Sequence, residues 1–471
     1  MRAFSTMCLL LILSSLLACG GGGGGGAPSS SVVTVAPPTP VPPTASCDID
    51  AQKQFVLDAT QSWYLWYDEM ADVSAADFET PDALLAALTA PLAADRRDPG
   101  FSYLTTVTAD EANFTSGAYV GFGFRYSLTN DNRFILSDVF EGSPADLAGL
   151  LRGVEVFAVE TANGFESIAE LAARNASNQE IFGESVDGVA RTFRVQIGEE
   201  VGDVTLTKTE LSVPALARAP VLLERSGLSP VGYLHFRSFT TNATAPLDAI
   251  FTEFLSAGVT DYVIDLRYNG GGLLSVADQL LDLLGGDIAS GQQSFLLSHN
   301  IQHSDEDFGE LFSPLASSVR PLRIAFITTG ATASASELTI NSLAPHADVV
   351  LVGEDTLGKA VGQYAFDLTD CDTRLRLVAF EVLNGEGMGG HYTGLVDTGR
   401  FTLCPAADDV LRPFGDPQEQ SLQTALAWLN GNSCTVTAST QSSLRSRSLA
   451  HDDWQLRNVI ELPERHSNRV Q

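Results

Sequence analysis

The sequence predicts an α/β core on a mostly parallel sheet, with a small β-rich domain and a helical region N-terminal to it. Three changes of texture along the 471 residues carry this reading. From about 215 to 433, apolar runs of strand length alternate with amphipathic runs of helix length, the pattern of strands joined by crossover helices. From about 117 to 210 the runs are short and punctuated by glycine, as in a β-rich domain. Before that, apolar residues recur at helical spacing. A chain this long is too large for one compact domain and can fill several cores.

The N-terminus reads as an export segment. Arg2 supplies a positive charge, Cys8 to Leu17 an apolar stretch, and Leu16-Leu17-Ala18-Cys19 closes it. The stretch is too short to span a hydrocarbon core of roughly 30 Å as a helix. Gly20 to Gly26 is an unbroken glycine run, and the residues up to Ser46 are rich in Ser, Pro and Thr. Such composition forms a tether rather than a core. Residues 1–18 are therefore expected to be a signal peptide and 19–46 a tether.

In the helical region, residues 47–116, Phe55, Val56, Ala59, Trp63 and Trp66 form one stripe, and a second helix is expected from Asp82 to Ala90, stopped by Pro91. The β-rich domain, residues 117–212, opens on Gly121-Phe122-Gly123-Phe124. Its next strand is Ile135 to Phe140, and Gly142 to Leu150 reads as a turn into a short helix. In the α/β domain, residues 213–434, strands are expected at Tyr233–Phe236, Tyr262–Leu266, Arg323–Thr328 and Val349–Val352. Helices are expected at Pro246–Ser256, Leu274–Leu284 and Ser334–Leu343. Residues 435–471 are polar and read as a poorly ordered tail.

The formal charge of -31 speaks against a nucleic-acid partner, which requires basic patches. Four cysteines remain beyond Cys8 and Cys19, namely Cys47, Cys371, Cys404 and Cys434. In an exported chain they suggest two disulfides with three possible pairings. Cys371–Cys404 with Cys47–Cys434 is the pairing expected here, because Cys371 and Cys404 flank strands of one subdomain. A metal cluster finds no C-x-x-C spacing to support it. His299 and His303 have ligand spacing, yet no H-E-x-x-H glutamate accompanies them, so a solvated loop is expected there.

The candidate chemistry lies after the strand Arg323–Thr328, in Thr332-Ala333-Ser334-Ala335-Ser336-Glu337. Small residues at a strand-to-helix turn let a side chain project beside free N–H groups at a helix N-terminus. A serine there is ordinarily a cap. Lysine usage sharpens the case, because the chain has only Lys53, Lys208 and Lys359 and otherwise relies on arginine. Arginine stays protonated and cannot act as a base, whereas a desolvated lysine can. A Ser-His-Asp triad recruiting His235 or His391 is less favoured, since no Gly-x-Ser-x-Gly surrounds Ser334.

Ser334, Lys359 after 25 residues and Gln363 after four more resemble the active-site signature of the C-terminal processing (tail-specific) peptidases. Asp265-Leu266-Arg267-Tyr268-Asn269-Gly270-Gly271-Gly272 resembles that family's upstream motif, with glycine in place of a common proline. Residues 121–124 resemble the carboxylate-binding loop of a PDZ domain, although Arg152-Gly153 is followed by Val154 instead of the usual Asp. Leu-Leu-Ala-Cys resembles a bacterial lipobox. The resemblance implies a ClpP/crotonase-like core and a PDZ-like domain. It also implies a dyad of Ser334 and Lys359 assisted by Gln363, with the N–H groups of Gly271 and Ala335 as an oxyanion hole. Asp265 and Arg267 are expected to brace that loop, and Ser336 to support the turn. No cofactor or metal is implied. The expected substrates are polypeptide C-terminal tails, and the expected place is the cell envelope, on the periplasmic face of the outer membrane, with Cys19 acylated. A catalytically silent, peptide-binding lipoprotein is the alternative.

Overall fold

The computed structural model describes residues 47–128, 133–198, 200–217 and 221–434. The signal, the tether, Cys19 and the tail lie outside the described residues.

The α/β domain is organised by a six-stranded sheet. In spatial order its strands are Val221–Leu223, Val231–His235, Asp261–Asp265, Arg323–Thr328, Asp348–Gly353 and Leu403–Pro405. All neighbours run parallel except the first pair. The strand Asp261–Asp265 is buried throughout, as a central parallel strand covered on both faces should be. Helices Thr244–Ser256, Leu274–Gly285 and Ala335–Leu343 cover one face. The first of them presents Leu247, Ile250, Phe251 and Phe254 to the core, a repeat of three and four residues. Helix Gln420–Leu429 covers the other face through Leu422, Ala425 and Leu429.

A second, five-stranded sheet is antiparallel and escaped the sequence reading. Thr373–Asn384 pairs with Val361–Leu368, Tyr103–Thr105 and Gln293–His299, and the last of these pairs with Phe308–Leu311. The N-terminal helices Ile49–Trp63 and Pro81–Ala94 pack on this sheet through Phe55, Val56, Leu84, Leu88 and Leu92. The second helix runs through Pro91 instead of stopping there. Proline removes the N–H that would reach Ala87 and its ring crowds that carbonyl, but Ala87 is half-exposed, and burial of Leu88 and Leu92 on either side holds the turn together.

Residues 118–212 form the β-rich domain. Its sheet is antiparallel, in the order Phe124–Leu128, Phe134–Val139, Glu155–Thr161, Ala190–Ile197 and Glu200–Thr207, with Gly164–Ser167 beside Glu155–Thr161. A two-stranded ribbon, Ala118–Gly121 with Thr209–Ser212, joins its two ends. The domain has its own aromatic core, including Phe122, Phe124, Phe134 and Phe193.

Ion pairs fix this domain to the α/β domain. Arg237 donates to Asp138 at 2.8 Å and to Glu141 at 2.8 Å. Arg152 reaches Asp408 at 2.5 Å and lies over the ring of Phe414. Arg237, Arg152 and Asp138 are almost entirely buried, so loss of one partner would strand a charge away from water.

The disulfides differ from the expected pairing: Cys47 bonds Cys371, and Cys404 bonds Cys434. Cys371 follows Val361–Leu368, on the sheet against which the N-terminal helix packs. Cys404 lies on the far edge of the parallel sheet, beside the end of helix Gln420–Leu429. Spacing alone could not foresee that Cys371 and Cys404 lie at different sheets. The first bond closes a loop across 324 positions. Replacing Cys47 and Cys371 by serine is expected to lower unfolding free energy by about 2–5 kcal/mol, read by chemical denaturation under oxidising conditions.

Candidate active site

Ser334 ends the turn after Arg323–Thr328 and directly precedes helix Ala335–Leu343. Its backbone has φ +57° and ψ -117°, a left-handed conformation unusual for a residue with a Cβ. Such strain persists only where neighbours over-determine it. Here Ala333 donates its N–H to the Asn269 carbonyl, Thr332 Oγ1 donates to the Leu266 carbonyl, and Ser336 Oγ donates to the Asn269 carbonyl at 3.0 Å. Ser336 is fully buried in that contact and therefore props the turn.

Lys359 lies between Asp348–Gly353 and Val361–Leu368 and lines the same recess as Ser334. Its Nζ donates to Gln363 Oε1 at 2.6 Å. Gln363 is not one helical turn beyond the lysine. It sits on the strand Val361–Leu368, where an irregularity between Gly362 and Gln363 shifts the pairing register. Such a bulge re-aims a side chain, which is how a strand residue four positions on can face back to Lys359. Gln363 Nε2 donates to the carbonyl of Phe101, fixing the amide so that its oxygen points at the amine. A neutral acceptor orients the amine without the charge that would favour an ammonium. The ring of Phe101 lies 5.2 Å from Nζ, so the N-terminal region contributes to the site, and no sequence signal marked Phe101. The other lysines have structural partners: Lys53 bonds Asp50 and the Phe78 carbonyl, and Lys208 bonds the Gly183 carbonyl.

Glu337 is the residue whose role the sequence reading missed. Fully buried, it accepts from the backbone N–H of Ser334 at 2.9 Å, of Gly358 at 2.8 Å and of Lys359 at 2.8 Å. One carboxyl group thus joins the serine turn to the lysine loop. Burial pushes its pKa up to about 7, against the pull of these donors and of the Thr356 side chain. The signal was present, since an acid three residues after a helix-capping serine is a recognisable N-terminal motif.

As the first residue of its helix, Ala335 has an N–H with no intrahelical acceptor, beside the positive end of the helix dipole. Gly271 differs from expectation. Its N–H donates to Asn269 Oδ1 at 2.9 Å, so in this structure it is not a free donor. Its place is nonetheless tight against the serine: with φ +99°, a Cβ there would lie 2.8 Å from both Ser334 Cβ and Ala335 N. Asn269 Nδ2 in turn donates to the Phe236 carbonyl. Beneath this loop Arg267 pairs with Asp265 at 2.6 Å, Glu419 at 2.9 Å and Asp408 at 2.8 Å, all through buried or nearly buried groups.

The remaining candidates fall elsewhere. In residues 121–124, Phe122 and Phe124 point into the domain core. The carbonyl of Phe122 accepts from Ala145 and that of Gly123 from Phe140. His235 is buried against Phe414 with ring centroids 3.9 Å apart, and burial pushes it down to about 3. His391 lines the recess of Ser334, but no carboxylate among the described residues hydrogen-bonds its ring, so no Ser-His-Asp triad is assembled among them. The segment at His299 is not a solvated loop: His299 is buried and bonded to Asp307 and Tyr364, while His303 stacks on Trp63 at 3.5 Å. Among the described residues no cluster could hold a metal ion.

The fold is that of a known protease class. It superposes on a solved structure from Bacteroides fragilis assigned to the S41 proteases, with TM-score 0.63 and 25% identity, covering 83% of this chain and 99% of that one. Residues 230–397 match peptidase family S41, and residues 51–103 match the peptidase S41 N-terminal domain. The likeness to peptidase family S41 extends over these two segments of the chain. It is 30% identical over 267 residues to a carboxyl-terminal-processing protease of Synechocystis, and 28% identical over 262 residues to one of Picosynechococcus. Each match takes in 54% of this chain, and 56% and 58% of those relatives. The chain therefore spans little more than half the length of the curated relatives it matches.

Proposed function

We propose that the chain is a serine endopeptidase that cleaves polypeptides near their C-termini through Ser334 and Lys359. The observation that carries this is the joining of the two residues: they line one recess, and the carboxyl of Glu337 ties their backbones together.

In the proposed reaction, neutral Lys359 takes the proton from Ser334 Oγ as that oxygen attacks the peptide carbonyl. The N–H of Ala335 meets the developing oxyanion. Gly271 supplies a second donor once its N–H exchanges Asn269 Oδ1 for the substrate oxygen. The tetrahedral adduct collapses to an ester on Ser334, and Lys359 returns its proton to the leaving amine. Water, losing a proton to Lys359, then attacks the ester, and the carboxyl product leaves as Ser334 regains its hydrogen.

The β-rich domain is read as PDZ-like, with residues 121–124 as the loop that would meet a substrate carboxylate. Leu16-Leu17-Ala18-Cys19 supports acylation of Cys19, and Gly20 after it, in place of Asp, supports a place on the periplasmic face of the outer membrane. Among the described residues no helix is long and apolar enough to cross a membrane.

The test is cleavage of an unstructured polypeptide, with products identified by mass spectrometry. Ser334→Ala is expected to abolish product. A variant that cleaves like the wild type overturns the reading.

A further inference from the structure

His391 is a further polar side chain in the recess of Ser334 and Lys359. The enclosed part of the recess is small, about 10 Å³, and opens at its mouth, and apolar side chains such as Leu274, Leu338 and Val382 form the rest of its wall. Only 2% of His391 is exposed, and neither Nδ1 nor Nε2 has a hydrogen-bond partner among the described residues. Buried polar atoms are normally paired, so an orphaned imidazole in a cleft needs an explanation.

We propose that His391 is a specificity residue, whose imidazole hydrogen-bonds a hydroxyl-bearing side chain, threonine or serine, on the residue that carries the attacked carbonyl. This rests on the peptidase reading above. When Ser334 attacks a carbonyl, the nearest substrate side chain is the one on that carbonyl's own residue, and the recess lined by Ser334 is the space beside it. The apolar wall suits a small aliphatic body once Leu274, Leu338 and Val382 move apart to admit it, and His391 then lies where its imidazole can read the tip. Burial, reinforced by the charge of Arg400, pushes the imidazole down to about 3, which leaves it neutral near pH 7. A neutral imidazole offers one donor and one acceptor, and a hydroxyl complements either. An aliphatic side chain of the same shape leaves the imidazole unpaired, and that difference is what a site of this kind discriminates.

The experiment compares two peptides that differ only in threonine or valine at that residue. Wild-type protein is expected to cleave the threonine peptide with a kcat/KM about ten-fold higher. His391→Leu is expected to erase or invert that ratio, whereas His391→Gln, which retains a donor and an acceptor, keeps a preference for threonine. Ser334-dependent cleavage with a wild-type ratio near one overturns the proposal and leaves the peptidase reading standing, whatever the variants do. A ratio unchanged in a folded His391→Leu protein overturns it equally. Absence of any Ser334-dependent cleavage removes both.

Discussion

Lys359→Met is expected to lower kcat/KM on the order of 10⁴-fold, with KM nearly unchanged and the fold intact. The size follows from loss of a base that acts as a unit with its nucleophile. Lys359→Arg should be as damaging, because guanidinium keeps its proton at any working pH. The wild-type rate should rise with pH as the ammonium deprotonates, since only the neutral amine can accept the proton of Ser334. Steady-state kinetics from pH 5 to 10 checks both points. A flat profile, or an arginine variant near wild-type rate, would exclude lysine as the base.

Glu337→Ala is expected to cost about 10²-fold or more in kcat while leaving Ser334 and Lys359 chemically unaltered. Three N–H groups, of Ser334, Gly358 and Lys359, lose their shared acceptor and the two loops lose their link. A misplacement of about 1 Å suffices for a loss of that order. Glu337→Gln offers one oxygen where two now accept, so it should rescue only in part. The pH dependence of stability adds a readout that catalysis alone would not give. Burial raises Glu337 from an ordinary 4.5 to about 7. The folded state therefore holds a proton that the unfolded chain releases. The stability so contributed is present below about pH 4.5 and is lost as pH rises through 7. Glu337→Gln should flatten that part of the profile in denaturant titrations. An unchanged slope would show that the carboxyl stays ionised throughout, with its N–H donors outweighing its burial.

How much of this was legible in the sequence depended on the kind of interaction involved. Strands buried on both faces, such as Tyr262–Ile264 and Ala325–Ile327, announced the parallel sheet because such strands read as continuous apolar runs. The antiparallel sheet did not announce itself. Thr373–Asn384 mixes Arg374, Arg376 and Glu381 into its run, and both arginines pair with Asp110, far away in sequence. Serine, lysine and glutamine were visible by their spacing. Their assembly was not, because Gln363 faces Lys359 through a strand irregularity and is held by the carbonyl of Phe101. Glu337 could have been noticed as a capping acid, yet a capping motif does not reveal that the same carboxyl also holds Gly358 and Lys359. The state of Gly271 depends on the rotamer of Asn269, which no sequence pattern encodes.

The two disulfides also settle how the folded chain bears load. Tension applied between residues 46 and 435 enters at Cys47, crosses directly to Cys371, follows the backbone to Cys404, and leaves through Cys434. Residues 48–370 and 405–433 lie outside that path as closed loops. Ser334, Lys359 and Gln363 are all within the first loop. A pull on either end of this body is therefore carried by the segment from Cys371 to Cys404, whose strand Thr373–Asn384 is pinned on both sides by neighbours. The catalytic candidates sit in a mechanically slack part of the covalent chain, and they meet the loaded segment through strand pairing such as that of Gln363 with Val378.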